Sequence, residues 1–210
     1  MPDSLIVIRS GATDYELQGR IRGGVDIPLA SAGIAEVERT IPLLAAAAPA
    51  ALYCSRSSCA AETARLIGDA IGLVPRMVGD LGNLDQGLWQ GMLVEDICRK
   101  QPRVARQWQD NPWSVVPPEG ELLEEACDRV ERTLQRIFRR HVAGRVAVVV
   151  PGPLDRVVRW LVAAEPLGDL WECEPGRPLV AELPMAGQWR RTARSREDAG
   201  RRRIPAQSRG

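Results

Sequence analysis

The sequence predicts a three-layer α/β/α sandwich around a mostly parallel central sheet, and three observations point there. Short apolar runs at 5–8, 51–54 and 146–150 lack polar alternation, as strands covered on both faces do. Longer segments with apolar residues at helical spacing lie between them. With 210 residues, 45% of them hydrophobic, the chain can bury one sizeable core.

The elements follow in order. Residues 5–8 read as a buried strand that ends at Arg9, Ser10 and Gly11, so Ser10 lies at a strand's C-terminal end. From Ser31, the expected N-cap, residues 32–44 have helical spacing. Residues 51–54 give a second strand, and 60–71 a helix closed by Gly72. The stretch 80–91 is Gly-rich and irregular. Residues 93–109 are helical with a restart at Pro102, and Asn111-Pro112 stops them. Pro117-Pro118 marks a loop. The longest amphipathic helix is expected at 121–141, with Leu122, Leu123, Ala126, Val130, Leu134 and Ile137 on its apolar face. It ends at His141, the sole histidine, placed there to interact with the helix dipole. After the strand at 146–150 come a helix at 154–164 and two weaker strands at 178–182 and 187–192.

Charge divides the chain in two. Residues 189–210 hold eight arginines against Glu197 and Asp198, a balance of +6, whereas the 20 basic and 25 acidic side chains before them leave about −5. The expected organisation is one domain over 1–188 and a basic, disordered tail over 189–210. That tail is the only part suited to nucleic acid. No apolar run reaches the ~20 residues needed to span a bilayer and the first residues do not form a signal peptide, so a cytoplasmic protein that does not engage a membrane is expected. Five dispersed cysteines without a C-x-x-C pair read as buried free thiols rather than as zinc or redox sites.

The chemistry-bearing residues fall in five regions. The first runs Arg9, Ser10, Gly11, Thr13, Tyr15 and Glu16, followed by Gly19-Arg20 and Asp26-Ile27-Pro28-Leu29. The second is 53–64, including Arg56 and Cys59. The third is 81–91, with Asn83 and Asp85. The fourth is Gly120-Glu121 before the long helix, and the fifth is the strand ending in Pro151, Gly152 and Pro153.

These regions resemble those of the histidine phosphatase superfamily, the phosphoglycerate mutase-like fold, over roughly residues 4–185. The resemblance implies a pocket at strand C-terminal ends with the family's catalytic positions substituted. Ser10 stands where the family has its histidine nucleophile, and a hydroxyl without a base is a poor nucleophile. Cys59 takes the place of the phosphate-clamping arginine, and a thiol offers no bidentate fork. Asn83 replaces the acid/base glutamate, and an amide does not titrate. Pro151 replaces the second histidine and brings no hydrogen-bonding side chain. Glu16 stands at a phosphate-binding asparagine and adds the wrong charge. Asp85 is expected to be a solvated turn residue.

The expectation is a pseudophosphatase without catalytic residues or cofactor. It would act by binding a protein partner or a small anionic ligand through Arg9, Ser10, Gly11, Thr13, Glu16, Arg56, Cys59, Asn83 and Gly152. Homodimers are common in the family, so self-association is part of the same expectation. Two alternatives stand beside it: an enzyme with a rebuilt site using Ser10, Cys59 or Asp85, and an interaction module working through the Arg-rich tail. Cys59 and Arg65 match the C-x5-R spacing of cysteine phosphatases, but the residues between them form helix rather than a phosphate cradle. Neither Gly-rich stretch is followed by a nucleotide-binding lysine, Lys100 being the only lysine. Trp89 fits a family slot, and Trp108 and Trp113 are placed at the pocket edge.

Overall fold

The computed structural model of the chain describes residues 1–172, 177–185 and 189. The expected strand at 187–192 and the basic tail lie outside the described residues, apart from Trp189.

Alternation along the strands accounts for the layers. The five strands are β1 (Ser4–Arg9), β2 (Ala51–Ser55), β3 (Arg76–Val78), β4 (Arg145–Val150) and β5 (Val180–Pro184), in the order β3-β2-β4-β1-β5. All neighbours are parallel except β5, which runs antiparallel to β1 at the edge. The register pairs Ser4 with Arg145 and Arg9 with Val150, so β1 and β4 end side by side. Period-2 alternation sends Leu5, Val7, Tyr53, Val146, Val148 and Val150 to one face, where they join Val130 and Leu134 of α6 (Leu123–Phe138) and Val157 and Leu161 of α7 (Leu154–Ala163). Ile6, Ile8, Leu52, Cys54, Ala147 and Val149 face the other way, onto Val37 and Leu44 of α2 (Ser31–Ala47) and Ala60, Ala64 and Ile67 of α3 (Ser58–Ile71). The fold is thus the expected three-layer α/β/α sandwich. Burial on both faces explains why these strands read as unbroken apolar runs.

Element ends depart from the expectation where capping decides them. The long helix starts at Leu123 because the Glu125 carboxylate accepts the Leu122 N–H at 3.0 Å, and it stops at Phe138, short of His141. Ala30 rather than Ser31 is the N-cap of α2, with Ser31 its first helical residue. Gly72 closes α3 in the left-handed conformation, φ 74°, as expected of a glycine there. The last strand lies two residues later than expected, at Val180–Pro184, where it pairs with β1. A four-residue helix, α1 (Asp14–Leu17), and the edge strand β3 carried no periodicity to read. Pro102 separates α4 (Val94–Lys100) from α5 (Pro102–Asp110) as its missing N–H requires.

Candidate functional site

The site lies at the C-terminal ends of β1 and β4. Ser10 extends the ladder by donating its N–H to Val150 O at 2.8 Å, which brings the loop after β1 against the loop after β4. Two glycines then seat the first loop on α2. A Cβ at Gly11 would stand 2.5 Å from Gly33 O, and one at Gly33 would stand 2.1 Å from Ala12 O, so neither position accepts a side chain. The Gly11 N–H donates to Thr63 Oγ1 of α3 at 3.1 Å. Ser10 and Thr13 are fully buried, and their hydroxyls have no partner.

Glu36, three residues beyond Gly33, shares its helix face and controls Arg9. Its Oε1 accepts from Arg9 Nη2 at 2.8 Å and its Oε2 from the Ala12 N–H at 3.3 Å. Glu16, read from sequence as a repelling charge, uses Oε2 to accept the Thr13 N–H at 2.7 Å and so starts α1. Its other oxygen faces Gly152, where a Cβ would meet it at 3.6 Å.

Gly152 is the hub of the site. Its carbonyl accepts from Arg22 Nη2 at 3.0 Å and from Asn83 Nδ2 at 3.1 Å, and Asn83 also donates to Gly23 O at 2.8 Å. The Arg22 Nη1 donates to Cys59 Sγ. The guanidinium therefore spans the gap between the thiol and the Pro151-Gly152 turn. Behind Asn83, Arg129 of α6 donates to the carbonyls of Asp80, Gly82 and Asn83 while paired with Glu121, which fixes the third loop to the long helix.

A cleft of about 520 Å3 opens beside this hub. Arg9, Glu16, Glu36 and Gly152 line it, together with Arg20, Arg22, Arg39, Arg156, Arg177, Trp171 and Glu172, so six guanidinium groups stand against three carboxylates, with Arg9, Arg156 and Arg177 already paired to Glu36, Glu172 and Asp155. A smaller depression of about 270 Å3 on the other side of Arg22 is lined by Arg56 and Asn83. Of the nine ligand-binding candidates read from sequence, Arg9, Glu16 and Gly152 line the cleft, and Arg56 and Asn83 line the depression. Ser10, Gly11, Thr13 and Cys59 line neither.

Several other readings need correction. His141 does not sit at a helix end: its Nε2 lies 2.9 Å from the Tyr53 hydroxyl, its ring packs edge-on to Tyr53, and it precedes β4, whereas the cleft follows the end of that strand. Burial, with the nearby Arg76 and Arg140 charges, holds its pKa below the usual 6.5. Trp108 is 2% exposed and belongs to a buried cluster with Trp89 and Trp171, while Trp113 packs on Trp160. Trp171 is the tryptophan that reaches the cleft. Asp85 needs no correction: as expected, it is an exposed turn residue, accepting the Gly87 N–H. Cys54, in the sheet, has its thiol pushed up to about 11 by burial.

Arg22, Glu36, Arg129 and Trp171 were not read as site residues. Arg22 lies between the motif segments Gly19-Arg20 and Asp26-Ile27-Pro28-Leu29, and that position beside the first region is the available signal. For Glu36 the signal was its spacing of three from Gly33. The clamps supplied by Arg129 and Trp171 depend on contacts 46 and 85 residues away in sequence, and nothing local marks them.

Comparison with known proteins agrees with this architecture. A sequence model of the histidine phosphatase superfamily (branch 1) matches residues 5–188. Phosphoglycerate mutase-like protein 4 of Arabidopsis thaliana is 28% identical over 155 residues, 72% of this chain and 67% of that one. Phosphoserine phosphatase 1 of Hydrogenobacter thermophilus is 29% identical over 145 residues, 69% of each chain. Among solved structures, YhfR of Bacillus stearothermophilus superposes with a TM-score of 0.77 at 24% identity, covering 89% of this chain and 93% of its own. A mycobacterial glucosyl-3-phosphoglycerate phosphatase bound to VO3 superposes with a TM-score of 0.73 at 22% identity, over 80% and 86%. These two structural likenesses concern the fold. Among the described residues no helix is long and apolar enough to cross a membrane. The architecture and the match over residues 5–188 make the chain a member of the histidine phosphatase superfamily, branch 1.

Proposed function

We propose that this chain is a catalytically inactive member of its superfamily that binds a small anionic ligand in the arginine-lined cleft. The observation that carries the reading is the joint state of four positions. Ser10 is buried and has no hydrogen-bonding base, so its hydroxyl lacks the activation a nucleophile needs. Cys59 is fully buried and lines neither the cleft nor the depression, and Asn83 spends its donors on two carbonyls. Pro151 supplies no proton, and the one histidine is bonded to Tyr53. What remains is a set of guanidinium groups around a concave surface, suited to an anion.

The test is a phosphomonoesterase assay on purified protein with p-nitrophenyl phosphate and phosphoserine, beside an Arg9→Ala variant. The expected result is turnover at the buffer background for both. Turnover that disappears in Arg9→Ala, or a phosphorylated adduct mapped to Ser10 or Cys59 by mass spectrometry, overturns the reading in favour of a rebuilt catalytic site.

A further inference from the structure

Resting on the reading of the cleft as an anion site, we propose that Arg22, and not Arg9, receives the ligand's oxyanion. Arg9 is already held, because the Glu36 carboxylate takes both its guanidinium and the Ala12 N–H, two donors that would otherwise meet an external anion. Arg22 is in the opposite condition. It is 4% exposed, its Nε–H has no partner, and its other two nitrogens bond to a carbonyl and a sulfur. It forms no ion pair among the described residues. Asp26, four residues on, feels the Arg22 charge but forms no ion pair with it, its oxygens accepting from the N–H and hydroxyl of Ser58 at 2.7 and 2.8 Å.

A buried guanidinium that no carboxylate touches is disfavoured against its hydrated state, and an oxyanion accepting the free Nε–H supplies the missing charge-assisted bond. Position supports the same assignment. Arg22 touches Cys59, which stands where the family resemblance places the clamping arginine, so a guanidinium from a different loop occupies that spot. It also lines both the cleft and the smaller depression. The ligand is then a small molecule with one oxyanion end, a phosphoryl group or its equivalent, at Arg22. Its apolar or planar body lies along Leu17, Ile21 and Trp171, with Arg39 exposed at the mouth.

The probe is inorganic phosphate, titrated into the full chain by calorimetry and followed in parallel through the arginine Nε–H signals in 15N NMR. Arg22→Gln is expected to weaken phosphate by about tenfold or more, the scale of a lost charge-assisted bond, and Arg9→Gln by less than about threefold. In the unmutated protein the Arg22 Nε–H signal shifts on titration more than that of Arg9. The double variant Arg22→Gln with Cys59→Arg, which returns a guanidinium from the helix side, regains most of the affinity, an outcome that a purely structural role for Arg22 would not give. If Arg22→Gln does not fold, the Nε–H shifts of the unmutated protein decide alone. Equal affinity in folded Arg22→Gln, a larger shift at Arg9, or no phosphate binding to the unmutated chain overturns the assignment. Absent phosphate binding to the unmutated chain also overturns the anion-site reading, whereas equal affinity in folded Arg22→Gln or a larger shift at Arg9 overturns the assignment to Arg22 alone, and none of these bears on turnover.

Discussion

The interior of the sheet and the cleft at its edge are built on different rules. In the interior, the apolar side chains of β1, β2 and β4 find their layer by alternation and pack on apolar neighbours whichever helix supplies them. In the cleft, each polar group is held by one particular partner from a remote segment: Arg9 by Glu36, Asn83 by Gly23 and Gly152, Arg22 by Cys59 and Gly152. The first kind of order stores stability and tolerates no loss of volume. The second stores little stability, so the groups at the strand ends can be exchanged while the sandwich stands.

The largest test of this contrast is Leu134→Ala. Leu134 is fully buried in α6, and truncation there is expected to lower unfolding free energy by about 2–5 kcal/mol in urea titration. Asn83→Ala, in the cleft, removes two hydrogen bonds to carbonyls and should cost about 1–2 kcal/mol. Equal losses would break the comparison.

Arg177→Ala probes an exception on the cleft wall. Arg177 pairs with Asp155, whose side chain is 3% exposed, and its removal leaves a buried carboxylate without its partner. A loss of about 3 kcal/mol is expected, larger than for Asn83→Ala; a loss below about 1 kcal/mol would mean that Asp155 is already solvated.

Gly33→Ala sharpens the account of how the first loop is seated. The added methyl would collide with the Ala12 carbonyl, a backbone atom that cannot rotate away, and the expected loss is about 1–3 kcal/mol. A neutral result in thermal unfolding would show that the loop shifts freely on α2.

The smallest effect is a pH dependence. Because the folded protein holds the His141 pKa below the usual 6.5, chiefly by burial, the unfolded chain binds that proton more readily. The contribution is fully present above about pH 6.5 and is lost as pH falls through that value towards the folded pKa. Asp26, Asp80 and Glu182 are also lowered, chiefly by hydrogen bonds from Ser58, Arg136 and Ser4 respectively, so their contributions are lost only in the more acidic carboxylate range. The urea midpoint should decline between about pH 7.5 and about pH 5.5 in the unmutated chain and stay flatter in His141→Gln. Parallel curves would remove His141 from the account.

The sandwich was legible because its signals are local. The all-apolar run Val146 to Val150 demands two covered faces, Gly72 ends a helix, and Pro102 restarts one. Capping at Leu122 and Ala30 was less legible, since it turns on which side chain reaches a free N–H. In the site, Ser10, Cys59, Asn83 and Pro151 could be singled out in the chain by the motif resemblance. Their surroundings were not: Cys59 gained a guanidinium from the segment between α1 and α2, and Glu16 became a cap rather than a lining charge alone.

Residue identity alone determined the layered architecture and the location of the motif loops at strand ends, because period and side-chain chemistry are carried by neighbours in sequence. Tertiary structure decided which arginine is neutralised and which is not. That outcome depends on Glu36 reaching the first loop across the Gly11–Gly33 contact and on Arg22 meeting Cys59 and Gly152, 37 and 130 residues away. Charge pairing in a buried site is a matter of distance in space, and only the packed layers set those distances.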